Sequence, residues 1–178
     1  MKPYDYTNRQ GVEEISWERF NEMARSLVEA LASENVDIVI GVARAGLFPA
    51  TAVACMLRRE LCPVRITRRY NDEVTFDHPI WRVDVPATIR GSCVAIVDEI
   101  ADSGETLTMV KLRALERDAG KVVTASLVAH SWANPKPDYV ALVSDAFVVF
   151  PWDRQIFKDG KWQPHPEIDA GLKMQKGK

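Results

Sequence analysis

Short runs of consecutive apolar residues alternate along this chain with longer segments whose apolar positions recur every three or four residues. After a polar beginning, Ser16 can cap a helix on which Trp17, Phe20, Ala24, Leu27, Val28 and Leu31 share one face. VDIVIGV at 36–42 is short, continuous and rich in β-branched residues, the mark of a strand buried on both sides. ARAG at 43–46 turns the chain, and FPATAVACML at 48–57 predicts a second helix. PVRIT at 63–67 is the next strand. VAIV at 94–97 predicts another, followed by a helix from Glu105 to Ala119 that ends at Gly120, the usual kind of residue just past a helix end. VVTASLVA, YVALVS and AFVVF supply three more strands between 122 and 150.

Two regions lack a clear period. Residues 68–90 mix charges, prolines and aromatics, which predicts a long excursion with one short strand pair, and loops of that length in compact domains often serve function. The tail beyond Trp152 is mixed and yields no element. Strand, helix, strand, helix, strand in this order predicts an α/β fold: a central parallel sheet with helices on both faces and right-handed crossovers. Ligands of such sheets bind at the carboxyl ends of the strands, so the turns ARAG and ADSGET should face one crevice.

Composition narrows the class. A chain of 178 residues with 47% hydrophobic and 27% charged residues is expected to form a single globular domain, 1–178. A formal net charge of -2 provides no global basic field for nucleic acid, so an anion must be held locally. Cys55, Cys62 and Cys93 sit among apolar residues and make an odd count, which predicts buried, reduced thiols and a cytoplasmic setting. The start lacks a signal-peptide layout, and no apolar run approaches the ~20 residues of a membrane span. The histidines at 78, 130 and 165 show no zinc spacing with the cysteines.

The chemistry gathers in VAIVDEIADSGETL, 94–107. A glycine turn opening a helix points backbone N–H groups outward at the positive end of the helix dipole, a natural seat for a phosphate. Ser103 and Thr106 can add hydroxyl donors, and Gly104 allows close approach. Equally, Ser103 could merely cap the helix and Gly104 merely turn the chain. Asp98 and Glu99 stand directly before this turn and would repel a bare phosphate. Carboxylates suit instead a sugar diol, or a metal bound to one, so a ribose 5-phosphate reconciles the two halves of the motif.

This stretch resembles the phosphoribosyl pyrophosphate signature of the type I phosphoribosyltransferases: apolar residues, an acidic pair, two more positions, then Asp-Ser/Thr-Gly-x-Thr. The resemblance implies that Ala101, Asp102, Ser103, Gly104, Glu105 and Thr106 hold the 5-phosphate, and that Asp98 and Glu99 hold the ribose hydroxyls and an Mg2+ shell. Asp102 is implied to act as general base beside the purine; alternatively it only organises the loop. GVARAGLFPA, 41–50, resembles the family's first loop, which implies pyrophosphate binding by Arg44 and Ala45 and a cis peptide after Arg44. RITRRYND, 65–72, resembles the mobile flap, which would span about 68–90 and bring Arg68 and Arg69 onto the pyrophosphate. A solvated charged loop is the alternative for these arginines.

NPKPDYVALVSDAFVVFPWD, 134–153, resembles the hood of the 6-oxopurine members. It implies that Lys136 reaches the 6-oxo group, Phe147 stacks on the base, Val148 offers backbone groups and Asp153 lies near the metal. Phe147 could instead be a core aromatic and Lys136 an ordinary turn residue. By this resemblance the core spans about 16–130 and a small hood about 131–178. His130, Ser131 and Trp132 match nothing in the pattern. The implied activity is Mg2+-dependent purine salvage from phosphoribosyl pyrophosphate and a purine base, in a homo-oligomer without nucleic-acid or membrane partners. The alternatives are a regulator that uses the fold to sense such ligands, or an enzyme for another nucleobase.

Overall fold

The computed structural model describes residues 8–70 and 73–176. Positions 71 and 72 of the expected flap, the polar start and the last two residues of the expected hood lie outside the described residues. In chain order the elements are β1 (Val12–Glu14), α1 (Trp17–Leu31), β2 (Ile38–Ala43), α2 (Leu47–Leu57) and β3 (Glu60–Thr67). The excursion holds β4 (Arg69–Tyr70), β5 (Glu73–Val74) and β6 (Ile80–Val83). Then come β7 (Cys93–Ala101), α3 (Glu105–Glu116), β8 (Lys121–Ala129) and β9 (Tyr139–Val143). β10 (Phe147–Val149), β11 (Gln155–Lys158), β12 (Lys161–Pro164) and α4 (Pro166–Lys176) complete the chain. Contacts divide it into two compact units, one running Glu22–Val143 and one joining the N-terminal segment up to Asn21 to the chain from Ser144 onward.

The larger unit is the expected sheet, with one correction. Among the described residues six strands lie in the order β6-β3-β2-β7-β8-β9, and every pair is parallel except β3 with β6. The excursion after β3 returns on itself, pairing Thr67 with Ile80 and Ile66 with Trp81, so it adds an antiparallel edge where a parallel sheet was expected. An antiparallel neighbour needs only a reversing loop, whereas a parallel one needs a full crossover. β2 and β7 are buried along most of their length, as their unbroken apolar runs require. On one face Ile38, Ile40, Val64, Val94 and Ile96 pack with Leu107, Val110 and Ala114 of α3.

α1 buries Ala24, Leu27 and Leu31 as expected, together with Met23, but Trp17 is 51% exposed. α3 stops at Glu116, short of the expected Ala119. Asp118 takes the left-handed conformation (φ 61) in place of Gly120, a position an aspartate tolerates better than most residues. The non-proline cis bond is Ala43–Arg44, one bond before the expected place, and Asn134–Pro135 is also cis. Among the described residues the three cysteines are free, but Cys55 is exposed and the others only partly buried, which corrects the expectation of buried thiols.

Besides β10, expected from AFVVF, and the start of α1, the smaller unit contains elements for which the sequence offered no expectation. β1 pairs in parallel with β10, Val12 opposite Phe147 and Glu14 opposite Val149. β11 and β12 form a hairpin whose turn, Asp159–Gly160, has positive φ at both residues (52 and 76), the geometry that Asp-Gly favours. Trp17, Phe20 and Trp152 bring their rings together here, with centroids 5.5 to 5.9 Å apart. Among the described residues no helix is long and apolar enough to cross a membrane.

Candidate active site

Parallel pairing of β2 with β7 sets Gly41 beside Val97, so both strands end at the same edge of the sheet and release their loops together. Asp98 ends the unbroken buried run of β7, 7% exposed, and its Oδ1 accepts a hydrogen bond from the Glu99 N–H at 2.9 Å. Burial, with the Glu99 charge alongside, pushes the Asp98 carboxyl well above the usual carboxylate range. Glu99 is half-buried. The ARAG turn meets this pair directly: a Cβ on Gly46 would stand 2.5 Å from Asp98 Oδ1 and from the Val42 carbonyl, so only glycine fits. The backbone of the ARAG turn thus packs against the acidic end of β7, shortly before the ADSGET turn begins. Arg44 is exposed and Ala45 half-buried at the start of α2.

Beyond Glu99 the chain forms the cradle. Gly104 has φ +84, and a Cβ there would meet the Pro135 carbonyl oxygen at 2.4 Å, so the glycine serves both the turn and a close approach. Ser103 Oγ accepts from the Glu105 N–H at 3.3 Å, bracing the turn, while the N-cap position of α3 is Gly104. Thr108 Oγ1 donates to the Gly104 carbonyl at 2.8 Å and closes the first turn of α3. Thr106 and Asp102 are half-buried, and Ala101 is buried.

The segment that matched nothing in the sequence lies along this cradle. The His130 N–H donates to the Ala101 carbonyl (3.1 Å) and the Asn134 N–H to the Ser103 carbonyl (3.0 Å). Trp132 Nε1 donates to Asp102 Oδ1 at 2.9 Å. No local pattern could have announced this, because the partners stand about thirty positions apart along the chain. Lys136 follows on the same connection and is exposed. Its loop is anchored two residues later by Asp138, whose carboxylate accepts from both the backbone N–H (2.8 Å) and the hydroxyl (2.9 Å) of Thr124.

The two expected flap ligands part company. Arg69 lines a pocket of about 280 Å³ with Arg65, Tyr70 and Arg82, while Arg68 Nε donates to the Phe76 carbonyl at 3.4 Å. Arg82 was not anticipated; it lies 5.9 Å from the Tyr70 ring and 5.8 Å from that of Phe76, within cation–π range. His78, also in the excursion, has its Nδ1 3.4 Å from Glu105 Oε1 at the head of α3.

Phe147, Val148 and Asp153 belong to the smaller unit. Phe147 is 3% exposed, and α4 lies on its ring: a Cβ on Gly171 would come within 2.4 Å of the Phe147 Cζ. The expected stacking platform is here a core aromatic, because β10 turns this side chain into its own unit. Val148 and Asp153 are half-buried.

Residues 11–156 match the family model described as the phosphoribosyl transferase domain. The chain belongs to that family. Several of its relatives are named for purine bases. It is 29% identical over 144 residues to the xanthine-guanine phosphoribosyltransferase of Idiomarina loihiensis, covering 80% of this chain and 87% of the relative. The solved purine phosphoribosyltransferase of Pyrococcus horikoshii superposes with a TM-score of 0.71 at 27% identity, covering 79% of this chain and 93% of that one. A hypothetical protein of Neisseria gonorrhoeae, solved with bound ppGpp, shares the fold over 94% of this chain and 97% of its own, with a TM-score of 0.66 and 21% identity. This phosphoribosyltransferase is thus similar, over about four fifths of its length, to proteins named as purine phosphoribosyltransferases.

Proposed function

We propose that this phosphoribosyltransferase moves the 5-phosphoribosyl group from phosphoribosyl pyrophosphate onto a ring nitrogen of a 6-oxopurine and releases pyrophosphate. The observation that carries the reading is the run from Asp98 to Gly104: a buried and a half-buried carboxylate opening onto a glycine turn at a helix head. The purine names of the relatives support the choice of acceptor. In this reading the backbone of residues 101–106 and the head of α3 take the 5-phosphate, with Ser103 and Thr106 beside it. Asp98 and Glu99 accept hydrogen bonds from the ribose hydroxyls. Arg44, the Ala45 backbone and the arginines of the excursion take up the charge of the departing pyrophosphate, Arg69 with Arg65 and Arg82, and Arg68 after leaving Phe76. Lys136 donates to the 6-oxo group.

The chemistry follows from charge separation. The ribose C1 loses its bond to a pyrophosphate oxygen while its bond to the base nitrogen forms, so positive charge grows on the sugar and negative charge on the leaving group. The base must also shed a proton, and Asp102 is the general base that receives it. Among the described residues no three metal-ligating side chains converge. The Asp98–Glu99 pair nevertheless fits Mg2+, which keeps several waters and takes one or two carboxylates together with substrate phosphates. When bound, Mg2+ supplies further positive charge to the leaving pyrophosphate. Phe147, with its ring enclosed by α4, is assigned to the packing of the smaller unit.

The test is a pyrophosphate-release assay with Mg2+, phosphoribosyl pyrophosphate and a panel of nucleobases. Guanine, xanthine or hypoxanthine should be consumed in step with pyrophosphate, and pyrimidines should not. Consumption of a pyrimidine alone would move the acceptor assignment. Tight binding of the sugar donor with no base consumed would make the protein a sensor of that ligand.

A further inference from the structure

Trp132 lies in a segment with no counterpart in the sequence pattern, yet its indole aims at the residue assigned the proton transfer. Nε1 donates to Asp102 Oδ1 at 2.9 Å. The surrounding chain is fixed to the same loop on both sides, through His130 to the Ala101 carbonyl and through Asn134 to the Ser103 carbonyl. Behind the indole, the His130 ring stacks at 4.5 Å between centroids and 15° between planes, and His130 itself is 1% exposed. An indole has a single donor, locked in the plane of its ring. A buried ring that sets that plane therefore also sets the direction of the hydrogen bond. One edge of the indole works while the residue as a whole stays 40% exposed, which is not how an aromatic serves when it only fills a core.

The bond engages one oxygen of a carboxylate that has two, so it orients Asp102 without consuming its capacity to accept a proton. Orientation matters here because Asp102 sits on a turn, where a carboxylate can choose among rotamers, and a misplacement of about 1 Å at a reacting group can lower a rate about a hundredfold. We propose that Trp132 is a positioning residue for phosphoribosyl transfer: its N–H, backed by the His130 ring, holds the Asp102 carboxylate at the angle from which it takes the proton of the incoming base. The inference rests on the assignment of Asp102 as general base.

Trp132→Phe keeps an aromatic ring over His130 and removes only the donor. We expect kcat to fall about tenfold while KM for phosphoribosyl pyrophosphate stays within about twofold. In an Asp102→Ala background the same change should have no further effect on kcat, since a residue that acts only through Asp102 has nothing left to aim. An unchanged kcat, an equal loss in KM, or losses that multiply in the double variant would each overturn the proposal. Asp102→Ala alone tests the underlying assignment: it should lower kcat far more than donor binding, and equal losses would remove the general base and with it the reason for aiming it. A readout independent of turnover is the 15N–1H indole resonance of Trp132, assigned in the parent protein. It should move upfield in Asp102→Ala, and a resonance that stays in place would deny the hydrogen bond even if Trp132→Phe failed to fold.

Discussion

The turn between β7 and α3 and the strand β10 both carry residues that the family resemblance ties to ligand, and they are built in opposite ways. In the turn, the proposed binding feature is the chain conformation itself: Gly104 at φ +84 heads α3, and the closely opposed carbonyl of Pro135 leaves no room for a side chain there. In β10 the assigned feature is a side chain, and its availability depends on what covers it. Phe147 points into its own unit, where Gly171 of α4 rests on the ring. A role vested in backbone geometry is carried by residues adjacent in sequence, whereas a role vested in an exposed ring can be cancelled by an element two dozen positions away.

The contrast is broken most severely at Gly104. A valine there would need a left-handed backbone that a β-branched residue resists, and would drive its Cβ into the Pro135 carbonyl. Strain of this kind costs about 1–3 kcal/mol before any clash is counted. The expected outcome for Gly104→Val is loss of measurable donor binding by calorimetry and of activity with it. Retained binding would mean that the phosphate is held elsewhere.

Phe147→Ala tests the other half. If the ring is packing, its removal should lower stability by about 3 kcal/mol, the usual scale for deleting a buried aromatic, and leave KM for phosphoribosyl pyrophosphate unchanged. Thermal unfolding and steady-state kinetics on the same sample separate the two roles. A stable variant with a greatly raised KM for the base would return Phe147 to the acceptor site.

The same contrast explains what the sequence made legible. Residues 94–106 could be interpreted because the strand, the acid pair and the glycine turn are contiguous, and each constrains its neighbour. The parallel core followed from β2 and β7, whose apolar runs admit little besides buried strands. β6 escaped because Ile80–Val83 places an arginine among its apolar residues and its partner lies across the excursion. The hairpin of β11 and β12 did carry a local signal, Asp159–Gly160 between short strand-like runs, and that pair is what would have found it. Trp132 had none: its meaning is a hydrogen bond to Asp102, and nothing in HSWAN alone points there.

The smallest expected effect sharpens the comparison from the far end of α3. Asp84 accepts from Arg113 Nε at 2.8 Å and from Arg117 Nη2 at 2.7 Å, so it moors the last turns of the helix whose head forms the cradle. The Arg113 side-chain hydrogen bond leads in holding the Asp84 carboxyl far below the usual carboxylate range, aided by Arg117. A depressed folded-state value means that the carboxylate contributes stability above its unfolded pKa of about 3.9, and that this contribution fades as pH falls toward the folded value. The side chains are more than a third exposed, so solvent screening keeps the contribution within about 1 kcal/mol. Asp84→Asn should therefore lower the Tm slightly at pH about 7, with a deficit that narrows below pH about 4 as the parent loses its own charge. Donor binding should be unchanged if the cradle is fixed by its backbone; a weakened donor affinity would show that the helix must be moored at both ends to hold the phosphate seat.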